Sequence, residues 1–269
     1  MEAEVYFSGK KVAPKEIEEW EKRHSVAMAK RLQKFYHIDV SPFFVRSIPE
    51  TDVLTVRKKL VDYKMQLSNE EIRGKLKHVF QLTNTAEDLM ATLGRHKRKS
   101  SVVEIVVKNV PANFDLKKFV DEIQALMTSS STKDRRIGLA ASPDHLLLEG
   151  RPHNSQEIVE ITGGAPMEAH FINYYGVEAG INYPRDPEYP YQMVGISMMT
   201  NNTIAGDIRH QYKEEGTGFR AKLADEFPVF FTSSMIREHQ FHLANEFLVW
   251  YKYLLDNWKQ SPQQVKNRK

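Results

Sequence analysis

The chain has no cysteine. That removes disulfides, thiolate nucleophiles and cysteine-based zinc or iron–sulfur sites, and it fits a reducing, cytoplasmic setting. Long apolar runs are missing too: no stretch approaches the roughly 18 residues a membrane-spanning helix needs. The first residues, Met1-Glu2-Ala3-Glu4-Val5-Tyr6-Phe7, lack the apolar core of a signal peptide. Excess charge of one sign is absent as well. The 38 basic and 35 acidic residues nearly cancel, leaving +3 with histidine neutral. Such a balance implies neither a membrane nor a nucleic-acid partner. Three catalytic signatures are also missing. Gly195-Ile196-Ser197-Met198-Met199 breaks the nucleophile-elbow pattern at its last position, and no Walker A loop or dinucleotide-binding GxGxxG is found.

What remains is an ordinary globular mix, 41% hydrophobic and 27% charged over 269 residues, enough for one large domain or two modest ones. Periodicity predicts a helix from about Pro14 to His37, with Pro14 in its first turn. Val53 to Leu67 has mixed, partly extended character. A helix starts at Ser68, where Ser68 and Glu71 make a capping-box spacing, and a short one follows over Thr85–Leu93. Val102–Val110 reads as a strand, and Asp115 caps the next helix. The basic run Arg95-His96-Lys97-Arg98-Lys99 reads as a solvated loop, since no aromatic platform accompanies it. Thr128-Ser129-Ser130-Ser131-Thr132 is the best linker candidate, which divides the chain into residues 1–130, a mixed helical and strand region, and residues 131–269.

The second half alternates short extended segments with Pro, Gly, Asn and Asp. His145–Leu148, Glu157–Ile161, Met167–Tyr175, Tyr191–Met199, Thr203–Tyr212 and Gly218–Glu226 read as strands. A long helix over Ser234–Trp258 closes it, followed by a polar, disordered tail. The class is therefore α+β: an antiparallel sheet with a long C-terminal helix across it, a helix-grip arrangement with a ligand pocket between the two.

On the last helix, Met235, His239, His242, Glu246, Val249 and Tyr253 form one stripe beside the apolar stripe of Ile236, Leu243, Phe247, Trp250 and Leu254. Two imidazoles and a carboxylate on one face suit zinc, manganese or iron. The competing reading is a polar helix edge. Further ligands must come from the sheet. Alternation places His210 with Ile204, Gly206, Ile208 and Tyr212, a face that looks inward. It places His170 with Glu168, Ile172 and Tyr174, and Glu178 follows. Spacing does not choose among them. Tyr174, Tyr175, Tyr183, Tyr189 and Tyr191 cluster near a Pro-rich loop and offer aromatic contacts to a ligand.

The segment from Gly206-Asp207-Ile208-Arg209-His210-Gln211-Tyr212 through Tyr253, with His242-Leu243-Ala244-Asn245-Glu246 inside it, resembles the C-terminal part of the diacetylphloroglucinol and phloretin hydrolase family. The resemblance covers about a fifth of the chain. It implies a Bet v 1-like fold, a zinc site using His242 and Glu246 with a further His and Glu from the sheet, and hydrolysis of a carbon–carbon bond between a phenolic ring and an acyl group. His170 or His210 supplies the sheet histidine, and Glu168 or Glu178 the sheet glutamate. The tryptophan-rich strand associated with the family is missing here.

The expected function is thus a metal-dependent hydrolase of an acyl-phenol or β-diketone-like substrate. A divalent ion, zinc first, is bound by His242, Glu246 and His210 or His170, with Glu178 as an added candidate. His239 is a further ligand or a general acid, and Tyr174 or Tyr212 steadies a phenol oxygen. The alternative is a non-catalytic binder of an aromatic or lipidic molecule. A nucleic-acid or protein adaptor ranks last. The partner expected is a small aromatic molecule, and a homodimer is left open.

Overall fold

The computed structural model describes residues 1–41, 52–94 and 97–260. Arg95, His96 and the C-terminal tail lie outside them. Among the described residues nine strands form one antiparallel sheet: β1 (Glu2–Phe7), β2 (Lys10–Val12), β3 (Arg98–Lys108), β4 (His145–Arg151), β5 (Ser155–Glu160), β6 (Ala169–Tyr175), β7 (Tyr191–Met199), β8 (Ile204–Glu215) and β9 (Gly218–Pro228). Their spatial order is β2-β1-β3-β9-β8-β7-β6-β5-β4. Among the described residues six α-helices accompany them: α1 (Pro14–Tyr36), α2 (Val53–Lys64), α3 (Asn69–Leu93), α4 (Leu116–Met127), α5 (Thr132–Ala141) and α6 (Ser233–Gln260). Among the described residues no helix is long and apolar enough to cross a membrane.

The class expected from sequence, α+β with an antiparallel sheet and a long C-terminal helix, is present. The sheet nevertheless crosses the expected division at residues 130 and 131. β3 comes from the first part, β9 from the second, and they pair over ten residues, Arg98↔Pro228 to Val107↔Phe219. The Thr-Ser-rich stretch is a tight connection between two helices. Ser131 accepts from the Asp134 amide as the N-cap of α5, a helix that periodicity did not reveal. Val53–Lys64 is helical rather than partly extended, started by Asp52, which accepts from the Thr55 amide. One unbroken α3 replaces the expected helix from Ser68 and the short one over Thr85–Leu93, and its Ser68–Glu71 capping box forms in both directions.

Two apolar cores lie on opposite sides of the sheet. On one, α6 sets Phe241, Leu243, Phe247 and Trp250 against Val103, Ile105, Ile208 and Leu223, and α4 adds Phe119 and Ile123. On the other, α1, α2 and α3 bring Met28, Leu60, Leu76 and Phe80 to Leu146, Leu147, Val159 and Ile161 of β4, β5 and the residue after β5. β4 and β5 are therefore covered on both faces. α1 joins both cores, with Ile17 and Trp20 in the first and Met28 and Leu32 in the second.

Between the sheet and α6 the first core is incomplete, leaving a cavity of about 120 Å³. That is comparable to the ~150 Å³ engineered cavity that admits a benzene ring. Ile158, Phe171, Met199 and Ile208 line it from the sheet, and Leu243 and Phe247 from α6. Thr83 and Glu87 of α3 also reach it, so the N-terminal half contributes to its wall. Gly206 is required at the cavity, because a Cβ there would collide with the carbonyl oxygen of Glu226.

Candidate metal centre

His242 and Glu246 are one turn apart on α6, and both line the cavity. The histidine brought to them is His145, the first residue of β4. Its Nε2 is 3.1 Å from His242 Nε2 and 3.3 Å from Glu246 Oε1. A second carboxylate joins from the end of β5: Glu160 Oε2 is 3.4 Å from His145 Nε2 and 3.7 Å from His242 Nε2. Donors about 2.0–2.1 Å from a tetrahedral ion stand roughly 3.3–3.4 Å apart, close to these separations. The mutually close set is His145, His242 and Glu246, two imidazole nitrogens and one carboxylate oxygen, with Glu160 beside the imidazoles, a chemistry that suits zinc, manganese or iron. His145 and His242 are 1% and 2% exposed. Among the described residues neither Glu160 nor Glu246 has a lysine or arginine ion pair, so a divalent cation would balance their charge.

Both imidazoles are oriented from behind, as metal-ligating histidines are. His145 Nδ1 donates to the Gly138 carbonyl at 2.8 Å, which turns the Nε2 lone pair toward the cluster. His242 Nδ1 faces Asp144 Oδ2 at 3.5 Å and Ser142 Oγ at 3.3 Å. Asp144 is itself gripped by His24 Nδ1 of α1 at 2.8 Å. His24 Nε2 reaches Glu238 Oε2 of α6 at 3.1 Å, and Trp20 Nε1 donates to the same oxygen. Glu160 is steadied by Thr162, whose hydroxyl donates to Oε1 at 2.9 Å. The turn leading into His145 is pinned by buried Lys64, which donates to the carbonyls of Ser142 and Pro143 at 3.1 and 2.8 Å.

The electrostatics follow from this enclosure. Burial opposes charge on His242, but Glu160, Asp144 and Glu246 outweigh it and lift its pKa to about 9. Burial lifts Glu246 to about 8 and raises Glu160. It also lowers His145 well below the ordinary imidazole value, aided by the positive field of His242, so His145 is the neutral member. Burial works against ionised Asp144, yet His24 and His242 hold it well below the carboxylate range.

A second histidine group borders the same cavity. Asp225 of β9 sits between His210, 2.8 Å from Nε2, and His239, 3.4 Å from Nε2. His239 Nδ1 contacts Ser101 Oγ at 3.1 Å. Burial drops His239 to about 4, so it is neutral near pH 7. His210 and His239 therefore line the cavity without being within contact range of the four-donor cluster through their nitrogens, being committed to Asp225.

The other sequence candidates lie elsewhere. His170 points to the face covered by α3, where Nε2 meets Glu157 Oε1 at 2.7 Å and the ring packs on Phe80. Alternation grouped its neighbours correctly, but the part of α3 around Phe80 covers that face, and only the later residues Thr83 and Glu87 of α3 reach the cavity. Glu168 is bound to Arg31. Glu178 is half exposed and paired with Arg209. Tyr212 is fully buried in the core beside Phe219 and Tyr251, with its pKa raised by burial. Tyr174 is not among the cavity-lining residues, and neither are Tyr175, Tyr183, Tyr189 and Tyr191. Lys99 and Arg98 of the basic run donate to backbone carbonyls of Phe231, Ile204 and Ala205.

No family model matches the chain, and no curated protein does. Among solved structures it is similar to one described as the crystal structure of Ara h 8.0201, at 10% identity and a TM-score of 0.36, over 60% of this chain and 100% of that one. Another similar structure is an uncharacterized protein from Rhizobium leguminosarum, at 9% identity and a TM-score of 0.30, over 58% of this chain and 96% of that one.

Proposed function

We propose that this protein is a metal-dependent hydrolase whose ion is held by His145, Glu160, His242 and Glu246, and whose substrate is a small acyl-phenol or related β-diketone enclosed between sheet and helix. The observation that carries this reading is the convergence of His145, His242 and Glu246 beside the cavity, with Glu160 within 3.7 Å of both imidazoles and both imidazoles oriented from behind. The resemblance of His242-x-x-x-Glu246 to the diacetylphloroglucinol and phloretin hydrolases supports it, with His145 and Glu160 in the places of the sheet-derived ligands. A bound divalent ion, zinc first among candidates, supplies Lewis acidity that polarises a carbonyl and makes water acidic near neutral pH. His239 is neutral and lines the cavity; with Nε2 on Asp225, its Nδ1 would have to leave Ser101 Oγ in order to carry a proton from the attacking water to the departing ring carbon. Asp225 orients His239 and balances the charge it acquires. Ile158, Phe171 and Met199 exclude bulk water around the reacting carbonyl.

The deciding experiment is elemental analysis of the purified protein beside His242→Ala/Glu246→Ala and His145→Ala/Glu160→Ala, followed by assay on 2,4-diacetylphloroglucinol. One zinc, manganese or iron per chain, lost in both double variants together with acyl cleavage, is the expected result. No metal after reconstitution overturns it. The apolar cavity also fits a non-catalytic binder of an aromatic molecule. An organic ligand retained in native mass spectrometry without metal, and unaffected by the double variants, favours that second reading.

A further inference from the structure

Six carboxyl-bearing residues border the cavity: Glu87, Glu160, Asp207, Asp225, Glu226 and Glu246. No lysine or arginine does among the described residues. Away from His242 and the metal cluster, a carboxylate or phosphate ligand would meet acids and no lysine or arginine, so anionic groups are disfavoured in that part of the space.

Five of the six acids have partners that account for them. Glu160 and Glu246 belong to the four-donor cluster, and Asp225 holds His210 and His239. Glu226 accepts from Ser100 Oγ and from the backbone amides of Asn182 and Tyr183. Asp207 lies opposite Glu226 in the β8–β9 ladder and interacts with it, although its Oδ1 has no hydrogen-bond partner. Glu87 is different. It is 8% exposed, lines the cavity from α3, and its Oε2 has no hydrogen-bond partner. The cation whose field it feels is Arg98, and that guanidinium donates to the carbonyls of Ala205 and Ile204. An unpartnered polar atom in a buried wall costs stability unless something binds to it.

We propose that Glu87 is a ligand-docking residue at the α3 side of the cavity, and that it receives a hydroxyl group of an uncharged ligand whose apolar middle packs on the sheet. The ligand class is therefore a neutral hydroxylated aromatic, as opposed to an acid or an amine. Thr83, one turn earlier on α3, lines the same wall and borders this subsite. Burial lifts the Glu87 pKa to about 7, which makes a neutral carboxyl available near physiological pH. A neutral carboxyl both donates to and accepts from a hydroxyl. An ammonium ligand would instead have to shed its hydration against Phe171, Met199 and Phe231. This proposal rests on the cavity being the substrate chamber of the hydrolase reading, but it does not need the metal.

The test is calorimetric binding of four probes to the full chain, zinc-loaded and chelator-treated: 4-hydroxyacetophenone, acetophenone, 4-acetylbenzoate and 4-(aminomethyl)acetophenone. Wild type is compared with Glu87→Gln and Glu87→Leu. The hydroxylated probe is expected to bind roughly three- to tenfold tighter than acetophenone, and 4-acetylbenzoate at least about tenfold weaker. Glu87→Leu should erase the hydroxyl preference and Glu87→Gln should keep most of it. A hydroxyl preference unchanged in Glu87→Leu, or tightest binding by the amine, overturns the proposal. If the preference appears equally in chelator-treated protein that never holds metal, the subsite stands while the hydrolase reading fails. If no probe binds in either form, the chamber itself is wrong and the subsite falls with it.

Discussion

Nε2 of His145 and Nε2 of His242 are 3.1 Å apart although 97 residues separate them in the chain. Two buried imidazole nitrogens meet this closely only if one carries a proton or both face a cation. The outer nitrogens are already committed, one to the Gly138 carbonyl and the other to Asp144 and Ser142. His145 Nε2 is thereby left directed at Glu160 and Glu246, and His242 Nε2 at Glu160, and the local charge balance favours a divalent ion.

The first prediction concerns which histidines and glutamates hold that ion. His145→Ala and Glu160→Ala are each expected to cut zinc content and affinity by more than about tenfold, since each removes a donor. His170→Ala and Glu178→Ala should leave zinc content unchanged, because those side chains pair with Glu157 and Arg209 on other surfaces. Mass-spectrometric metal counting on the four variants decides it. Full zinc retention in His145→Ala would displace the site from where we place it.

How much of this was legible in sequence differs residue by residue. His242 and Glu246 were readable because a four-residue spacing on a helix puts both on one side. His210 was readable because β8 alternates and its apolar partners look toward α6. His145 and Glu160 were not. β4 and β5 are buried on both faces, so His145-Leu146-Leu147-Leu148 and the strand before Ile161 carry no alternation to mark an inward side. The available signal was Asp144-His145 standing at the edge of an apolar run, polar groups with no solvent nearby. His170 was assigned by alternation alone, and alternation says which residues share a face without saying which face meets the cavity. The long-range pairing of β3 with β9 had no local signature at all.

The second prediction gives α1 a part in the site. His24 bridges Asp144 and Glu238, and Asp144 faces His242. His24→Ala should therefore weaken zinc binding about 10- to 100-fold by letting Asp144 turn away. The fold should survive, since Trp20 and Ile17 keep α1 in the main core. Competition against a chromophoric chelator measures the affinity. An unchanged affinity would reduce His24 to an interhelical contact.

A third prediction comes from the Asp207–Glu226 pair. Burial, then the field of Glu226, raises the Asp207 pKa above its ordinary value. The folded pKa is thus above the unfolded one. Its contribution to stability is complete below the unfolded carboxylate pKa and is lost as pH rises through the folded value. Asp207→Asn keeps the shape and cannot ionise. Thermal unfolding of the metal-free protein should show wild type losing ground to Asp207→Asn as pH climbs from 5 toward about 9. Parallel curves for the two proteins would show that the pair does not share a proton.

The fourth prediction is of opposite sign and concerns Lys64. It is completely buried, and burial lowers its pKa from 10.5 to about 7 despite Asp144 and Glu21. Between those two values the unfolded chain carries a proton that the folded one lacks, so stability rises with pH across that window. Lys64→Met removes this slope. It also frees the carbonyls of Ser142 and Pro143, which sit just before Asp144 and His145. The variant should therefore lose the stability gain above pH 7 and bind zinc more weakly even though no ligand was touched. Chemical denaturation of metal-free protein at pH 6 and pH 9.5 tests the first half, and the chelator competition tests the second. A variant with the wild-type pH slope would mean that Lys64 is not the group that titrates. One with wild-type zinc affinity would mean that β4 is held in register without its tether.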